Sequence, residues 1–150
     1  MSEVEIAPGV GVSEPADGEC HCGAVKFRVQ LSDGLHSAQR CNCSYCAKRG
    51  AVAVTAALAD LEICEGEDML TQYAFNTHTA KHYFCSRCGI HTHHQRRSNP
   101  QQYAINAACL TGVSPFDFRQ VPVTEGRVHA NDRDGGRLVA GILRYEPEGD

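Results

Sequence analysis

The sequence predicts a mostly β fold, in which several short antiparallel sheets are stapled together by cysteine-rich turns. Between residues 25 and 31, apolar residues alternate with polar ones, which is the period of a strand with one buried face. Elsewhere, short apolar runs are separated by turn-forming residues, and none has a sustained helical period. Seven of the nine cysteines fall into three tight groups, a spacing that suits metal ligands better than disulfides.

The predicted strands follow one another in chain order. After the strand at 25–31, a second β run covers 51–55. The acidic stretch 65–68 is expected to form the turn of a hairpin between short strands at 61–63 and 70–73. Further strands are predicted at 81–84, 91–93, 103–110 and 138–145. Single helical turns at most are expected at 77–80 and 113–119.

The length and composition indicate one domain with a thin core. A chain of 150 residues is long enough for one modest core, but this chain has no tryptophan and 14 glycines. Bound metal would therefore contribute to the free energy of folding. Residues 1–16 mix prolines, glycines and acids without an apolar period, which predicts a flexible arm. The metal-binding domain is expected to span 17–145, and 146–150 to form a tail.

The charge and the apolar runs exclude several classes of partner. A net charge of −4 argues against direct nucleic-acid binding, because such binding relies on neutralising phosphates. The longest apolar run, at 51–58, is too short and alanine-rich to cross a bilayer. The acidic N-terminus lacks the charged-then-apolar layout of a signal peptide. We therefore expect a cytoplasmic protein without a membrane partner, in a reducing compartment where cysteines bind metal.

Two separated cysteine pairs together supply the four ligands of a closed structural zinc site. A glycine follows the last cysteine of each pair, where backbone amides can turn toward sulfur. The ligands predicted for this site are Cys20, Cys22, Cys85 and Cys88.

The third group, Cys41, Cys43 and Cys46, is one ligand short of a closed site. Three protein ligands and an open position are typical of a zinc ion that takes part in chemistry. Three thiolates also make the site net anionic and a weak Lewis acid, so it is poorly suited to making hydroxide. Such a soft site can take a substrate thiolate as fourth ligand and hold it for addition to an aldehyde carbon. The sequence thus predicts two zinc ions per chain and an enzyme.

Proton transfer at the carbonyl oxygen would require a general acid, and histidine has a suitable pKa. Strand alternation predicts that His91 and His93 share one face, and we assign the catalytic role to them. His78 and His82 are alternative candidates, and each of the four could instead pack within a sheet. A separate histidine metal site is not expected, because no third ligand is evident.

The cysteines outside the three groups, Cys64 and Cys109, lie within apolar runs. We interpret both as buried thiols that pack like small hydrophobic side chains, rather than as a fourth metal ligand.

Five segments of the chain resemble the glutathione-dependent formaldehyde-activating enzyme family, most closely its centromere protein V-like branch. The segments are Gly18-Glu-Cys-His-Cys-Gly-Ala-Val-Lys-Phe, Arg40-Cys-Asn-Cys-Ser-Tyr-Cys-Ala-Lys-Arg-Gly50, Tyr73-Ala-Phe-Asn-Thr-His78, His82-Tyr-Phe-Cys-Ser-Arg-Cys-Gly-Ile-His91 and Arg97-Ser-Asn-Pro100. The resemblance covers residues 18–130. It implies a zinc-containing Mss4-like fold, with the two cysteine pairs in the structural role and the group of three in the catalytic one.

The same resemblance implies a carbon-sulfur lyase activity that interconverts S-(hydroxymethyl)glutathione with glutathione and formaldehyde. Glutathione carries two carboxylates, which Lys48 with Arg49, and Arg96 with Arg97, could bind as charged partners. The alternative is that these are ordinary solvated side chains. An alternative function is a zinc-stabilised module that binds a protein partner without catalysis, since a shared fold does not determine function.

Overall fold

The computed structural model describes residues 3–128 and 138–149, and within them eleven strands and one short α-helix are present. The helix α1 is Ser44–Arg49. The strands are β1 (Glu5–Ile6), β2 (Ala16–Glu19), β3 (Lys26–Leu31), β4 (Arg40–Cys41), β5 (Ala53–Glu65), β6 (Leu70–Tyr73), β7 (Lys81–Cys85), β8 (His91–Gln95), β9 (Gln102–Asn106), β10 (Phe118–Thr124) and β11 (Val139–Arg144). The predicted mostly β fold with several antiparallel pairings is confirmed.

The larger sheet has seven strands among the described residues, in the order β2-β3-β5-β9-β8-β7-β6, and every neighbouring pair is antiparallel. The alternation predicted for β3 is observed, since Phe27, Val29 and Leu31 are buried while the residues between them are exposed. They join Val54 of β5 and Ile105 of β9 in the main core. Burying a large apolar side chain contributes roughly 1.5–3 kcal/mol, so this layer stabilises the sheet.

The smaller sheet positions the three-cysteine group. β10 pairs antiparallel with β1 and β11, and β4 pairs with β10 in parallel. In this register Cys41 lies opposite Thr124. The start of the three-cysteine group is therefore attached to the end of β10, a strand that the sequence patterns did not reveal.

Part of the segment that the sequence assigns to a flexible arm packs on the domain. β1 pairs with β10, and Val4 is buried. Val10 and Val12 also pack against the main core, although the apolar residues of this segment have no regular spacing. The bounds 17–145 and 146–150 remain predictions, and residues 129–137 and 150 within them lie outside the described residues.

The hairpin expected around residues 65–68 is wrong. β5 is one continuous strand that pairs with β3 as far as Glu65, whereas β6 pairs with β7 at the other end of the sheet. Gly66 makes this connection possible, because its φ of 77° is disfavoured for other residues and a Cβ there would collide with the carbonyl of Ala24. The turn thus joins distant strands instead of adjacent ones.

The helix α1 was not predicted, because six residues are too few to show a helical period. The Cys43 sulfur accepts a hydrogen bond from Cys46 N and so caps the start of the helix. Gly50, in a left-handed conformation at φ 70°, ends it. Cys43 therefore sets the start of this helix and Gly50 its end.

The predicted helical turn at 113–119 is observed as a single 3-10 turn at Pro115–Asp117, capped by Ser114. Residues 77–80 form no helix. The strand expected at 103–110 ends as β9 at Asn106 and continues as a 3-10 turn. No helix in the described part of the chain has the length and apolarity needed to span a bilayer.

Candidate functional site

The first candidate metal centre unites the two cysteine pairs, one after β2 and one at the end of β7. The Sγ atom of Cys22 lies 3.7 Å from that of Cys20 and 3.7 Å from that of Cys85. With Cys88, the four sulfurs all lie within 4.8 Å of one another. Four sulfurs about 2.3 Å from one zinc ion in a tetrahedron are about 3.8 Å apart, so this set fits zinc.

Backbone amides donate hydrogen bonds to the sulfurs of this first centre, as the glycine after each cysteine pair predicts. Val25 N donates to Cys20 Sγ at 3.3 Å, and Arg87 N donates to Cys85 Sγ at 3.4 Å. Cys20 and Cys85 are buried and form a small cluster of their own with Val25. The arrangement is that of a closed structural site that joins chain segments 60 residues apart or more.

The second candidate centre is formed by Cys41, Cys43 and Cys46, whose sulfurs also lie within 4.8 Å of one another. Cys43 N donates to Cys41 Sγ at 3.4 Å, and Cys46 N donates to Cys43 Sγ at 3.2 Å. The loop and the first turn of α1 thus fold the three sulfurs around one point. No fourth cysteine, histidine or carboxylate joins the group among residues 3–128 and 138–149. The donor set fits a zinc ion with one open position.

The three thiols share protons in a way that favours cation binding. Hydrogen bonds with the Cys41 and Cys46 thiols lower the pKa of Cys43 to about 2. Contacts with Cys41 and Cys43 raise the pKa of Cys46 well above its usual range. Binding all three sulfurs to a metal ion as thiolates would release the protons that the thiols still carry.

Residues at the end of β10 and just after it hold the loop of Cys41, Asn42 and Cys43 in place. Asn42 N donates to Thr124 O at 3.2 Å, and Gly126 N donates to Asn42 Oδ1 at 2.7 Å. The Asn42 amide also donates to Glu125 Oε2 at 3.3 Å, and Arg127 pairs with the same carboxylate at 2.9 Å. These contacts clamp the loop between Cys41 and Cys43. Sequence patterns gave no signal for this clamp.

The second centre opens into a cavity of about 620 Å³, whereas the first lies away from it. This volume falls within the roughly 300–1,000 Å³ that is usual for small-molecule sites. Five arginines of the described part of the chain line the cavity, although the chain has a net charge of −4. They are Arg40, Arg49, Arg96, Arg97 and Arg127. The cavity is therefore suited to an anionic ligand.

The structure corrects the expectation that His91 and His93 share a face. The pairing register between β7 and β8 shifts there, so that Thr92 is inserted as a bulge. His93 stacks on Tyr83 and meets the edge of Tyr103, and it does not line the cavity. His91 instead faces His82 and His94, with ring centroids 6.4 and 5.9 Å away.

Among the described residues, His82 and His94 are the histidines that line the cavity. Their ring centroids are 4.7 Å apart, and the His82 ring also packs 4.3 Å from that of Tyr45 on α1. Burial and the nearby Arg49 guanidinium lower the pKa of His82 to about 4 and that of His91 to about 2. His82 was an alternative in the sequence analysis, but His94 was missed, because only the bulge brings it to this face.

Of Lys48 and Arg49, the two basic residues that follow the cysteine group, only Arg49 lines the cavity. Its Nη2 donates to Cys46 Sγ at 3.2 Å, and its Nη1 contacts His82 Nδ1 at 3.0 Å. Lys48 is exposed and lies outside the cavity lining. The assignment of Lys48 and Arg49 to the carboxylates of glutathione stays a prediction.

A loop over residues 74–80 forms another part of the cavity wall. Asn76 and His78 adopt positive φ angles of 56° and 58°, which are uncommon for residues other than glycine. Phe75, Asn76 and Thr77 line the cavity, and Phe75 stacks on Tyr45 with centroids 5.6 Å apart. His78, an alternative candidate for the general acid, is exposed and is not part of the lining.

The remaining two cysteines differ in burial. Cys109 is buried as predicted. Cys64 is exposed, which is a correction, because β5 turns it to the polar face beside Glu62.

The sequence model of the glutathione-dependent formaldehyde-activating enzymes matches residues 15–122 of this chain. A Halomonas elongata protein, whose name makes it a candidate glutathione-dependent formaldehyde-activating enzyme, is 36% identical over 80 residues. That alignment covers 48% of this chain and 50% of the relative, so the chain spans about half the length of the curated relative it matches.

A crystal structure of a Rhodobacter sphaeroides protein is similar to this chain in both fold and sequence. The two have a TM-score of 0.66 and 56% sequence identity, over 67% of this chain and 93% of that chain. The matched family region contains all seven clustered cysteines.

Proposed function

Because this chain belongs to the glutathione-dependent formaldehyde-activating enzyme family, we propose that it is a carbon-sulfur lyase acting on a thiol-aldehyde adduct. The substrate would be S-(hydroxymethyl)glutathione or the adduct of a similar thiol. The observation that carries the proposal is the position of the three-cysteine centre, which opens into a cavity of about 620 Å³ lined by five of the described arginines. We also propose that the chain belongs to the centromere protein V-like branch, which its five resembling segments support.

We propose two zinc ions per chain, one at each cysteine centre. Cys20, Cys22, Cys85 and Cys88 would hold the first ion in a purely structural role. Cys41, Cys43 and Cys46 would hold the second and leave one position open toward the cavity. Zinc bound there supplies a soft acceptor for sulfur, which lowers the pKa of a thiol and makes it a better leaving group.

The reaction requires little beyond proton and electron redistribution. In the direction of release, the carbon-sulfur bond breaks and its electron pair stays on sulfur. The hydroxyl oxygen loses its proton as it becomes the carbonyl of formaldehyde, and sulfur ends as a thiol. A proton acceptor near that hydroxyl would therefore assist, and we propose the neutral imidazole of His94, which lines the cavity, for this role.

The arginines of the cavity are the reason why we propose an anionic thiol as part of the substrate. Glutathione carries two carboxylates, and guanidinium groups bind carboxylates through paired hydrogen bonds. Arg96 and Arg97 lie in the same wall as His94, at the end of β8. The earlier candidates Arg96 and Arg97 therefore remain our proposal for substrate binding, with Arg40 and Arg127 as further lining residues.

We also propose a cytoplasmic location. The nine cysteines without a disulfide and the proposed zinc sites agree with a reducing compartment.

Magnetisation-exchange NMR between hydrated formaldehyde and S-(hydroxymethyl)glutathione tests the proposal, because it measures the interconversion at equilibrium. The reaction proceeds without catalyst, so the rate must be compared with a protein-free blank. We expect wild-type protein to raise the exchange rate and Cys46→Ala to return it to the blank. Equal rates for the blank, wild type and Cys46→Ala, without glutathione binding, would instead favour a zinc-stabilised interaction module.

A further inference from the structure

Arg49 is fixed beside the three-cysteine centre by contacts in three directions. Nη2 donates to Cys46 Sγ at 3.2 Å, Nη1 contacts His82 Nδ1 at 3.0 Å, and the guanidinium lies 5.0 Å from the centroid of the Tyr45 ring. A guanidinium has donors only, so His82 Nδ1 must accept and the ring proton of His82 is on Nε2. The planar group is therefore oriented by a sulfur, an imidazole and an aromatic face.

The charge of Arg49 matters because of the charge of the centre itself. Three thiolates around a divalent cation carry a net charge of −1. A thiolate in the open position would raise this to −2, which is unfavourable in a partly enclosed cavity. A permanent positive charge hydrogen-bonded to one of the sulfurs offsets this second negative charge. A neutral ligand in the same position would gain no such benefit.

We propose that Arg49 determines the specificity of the open position by making it accept an anionic ligand, a thiolate, and that His82 is the positioning residue that holds Arg49. The inference rests on the proposed function, since it requires a metal ion at the three-cysteine centre. It differs from a role of Arg49 in binding substrate carboxylates. The proposed role depends on the hydrogen bond from Arg49 Nη2 to the Cys46 sulfur, and it is tested with a thiol that carries no carboxylate.

The test uses the full-length protein loaded with cobalt(II), whose visible spectrum reports the ligands of each centre. The spectrum is followed during titration with 2-mercaptoethanol, a thiol without a carboxylate, and separately with imidazole, a neutral ligand. Arg49→Met removes the charge and keeps much of the side-chain length. Lys48→Met is the matched control, because it removes one charge from the neighbouring exposed position outside the cavity.

We expect Arg49→Met to raise the dissociation constant of 2-mercaptoethanol about tenfold, since a full charge is lost a few ångströms from the ligand. The dissociation constant of imidazole should change less than about twofold, and Lys48→Met should match wild type for both ligands. Unchanged thiol binding in Arg49→Met would overturn the proposal. Equal weakening of thiol and imidazole binding would also overturn it, because that pattern indicates a damaged site.

His82→Phe provides a second route if Arg49→Met does not retain cobalt at the three-cysteine centre. Phenylalanine can keep the packing against Tyr45, but it cannot accept the hydrogen bond from Arg49. Selective weakening of thiol binding in His82→Phe supports the proposal, and wild-type binding of both ligands contradicts it. The titrations contain no aldehyde and no glutathione, so they succeed or fail independently of whether the protein is a lyase.

Discussion

Gly126 packs against Cys41 so closely that the sulfur of Cys41 lies where a side chain at residue 126 would begin. Such a side chain would also meet the Cβ of Cys43 at 2.9 Å. The backbone amide of Gly126 meanwhile donates to Asn42, between the two cysteines. One glycine after β10 thus defines one side of the open metal centre.

Gly126→Ala should therefore damage the three-cysteine centre while leaving the structural centre intact. The added methyl group must displace Cys41 or Cys43, so we expect the affinity of the second zinc ion to fall by about tenfold or more. Zinc content should drop from two ions per chain toward one under competition with a chelator. Gly141→Ala is the control, because a Cβ there meets no atom within 4 Å. Equal zinc retention in both variants would show that the close contact is not important for the metal centre.

Loss of one ligand at the four-cysteine centre should unfold the protein. Cys85 is fully buried, and apparent zinc-binding free energies of structural sites are about 10–16 kcal/mol, comparable with the whole stability of a small domain. We expect Cys85→Ser to be insoluble or to lack a cooperative thermal transition. Cys64→Ala, at an exposed position, should change the free energy of unfolding by less than about 0.5 kcal/mol. A folded Cys85→Ser protein with an unchanged Tm is the result that would refute the structural role.

Cys41→Ser and Cys43→Ser should lose the second zinc ion and keep the fold. The three ligands lie within six residues, so this centre closes no long loop and contributes little to folding. Zinc analysis should find one tightly held ion, with a circular dichroism spectrum like that of wild type. Two tightly held ions in both variants would mean that the ligands are divided differently between the centres.

Buried His93 should make stability depend on pH in a defined direction. Burial lowers its pKa to about 4, from about 6.5 in the unfolded chain. Between these values the unfolded state binds a proton that the folded state does not, so the free energy of unfolding falls as pH decreases from about 6.5 to about 4. The contribution is at most about 3 kcal/mol and is constant below that range.

The matched variant is His93→Phe, which can keep the stacking on Tyr83 without a titrating group. Urea unfolding should show that wild type loses more stability than the variant as pH falls from 7 to 4, since only wild type carries the His93 contribution. Parallel curves over this range would contradict the assignment of a depressed pKa to His93.

The division of the cysteines could be predicted from the sequence because it depends on local spacing. Two residues that lie two or three positions apart can converge on one ion wherever the chain places them, and the four-sulfur group confirms which pairs meet. The strand β3 was equally clear, since one face is buried and the other exposed. Patterns of short range therefore carried over into the structure.

The positions of the histidines could not be predicted, because they depend on one inserted residue. Strict alternation places His91 and His93 on one face of β8, but the bulge at Thr92 brings His91 and His94 to the same face instead. The side chain of Thr92 is fully buried, and nothing in the local sequence marks it as a bulge. Arg49 and Cys46 are three residues apart and contact each other because both lie on the helix α1. This helix was also not predicted.

Cadmium-113 NMR of the metal-substituted protein tests the central claim most directly, because it reports the ligands of each centre separately. The account predicts two resonances, one from a closed four-sulfur site and one from the three-cysteine site. Addition of glutathione should shift only the second resonance toward the position of the first, as a fourth sulfur joins the three. A single resonance, or two resonances that both stay in place at saturating glutathione, would contradict the claim that the three-cysteine centre is an open site for thiols.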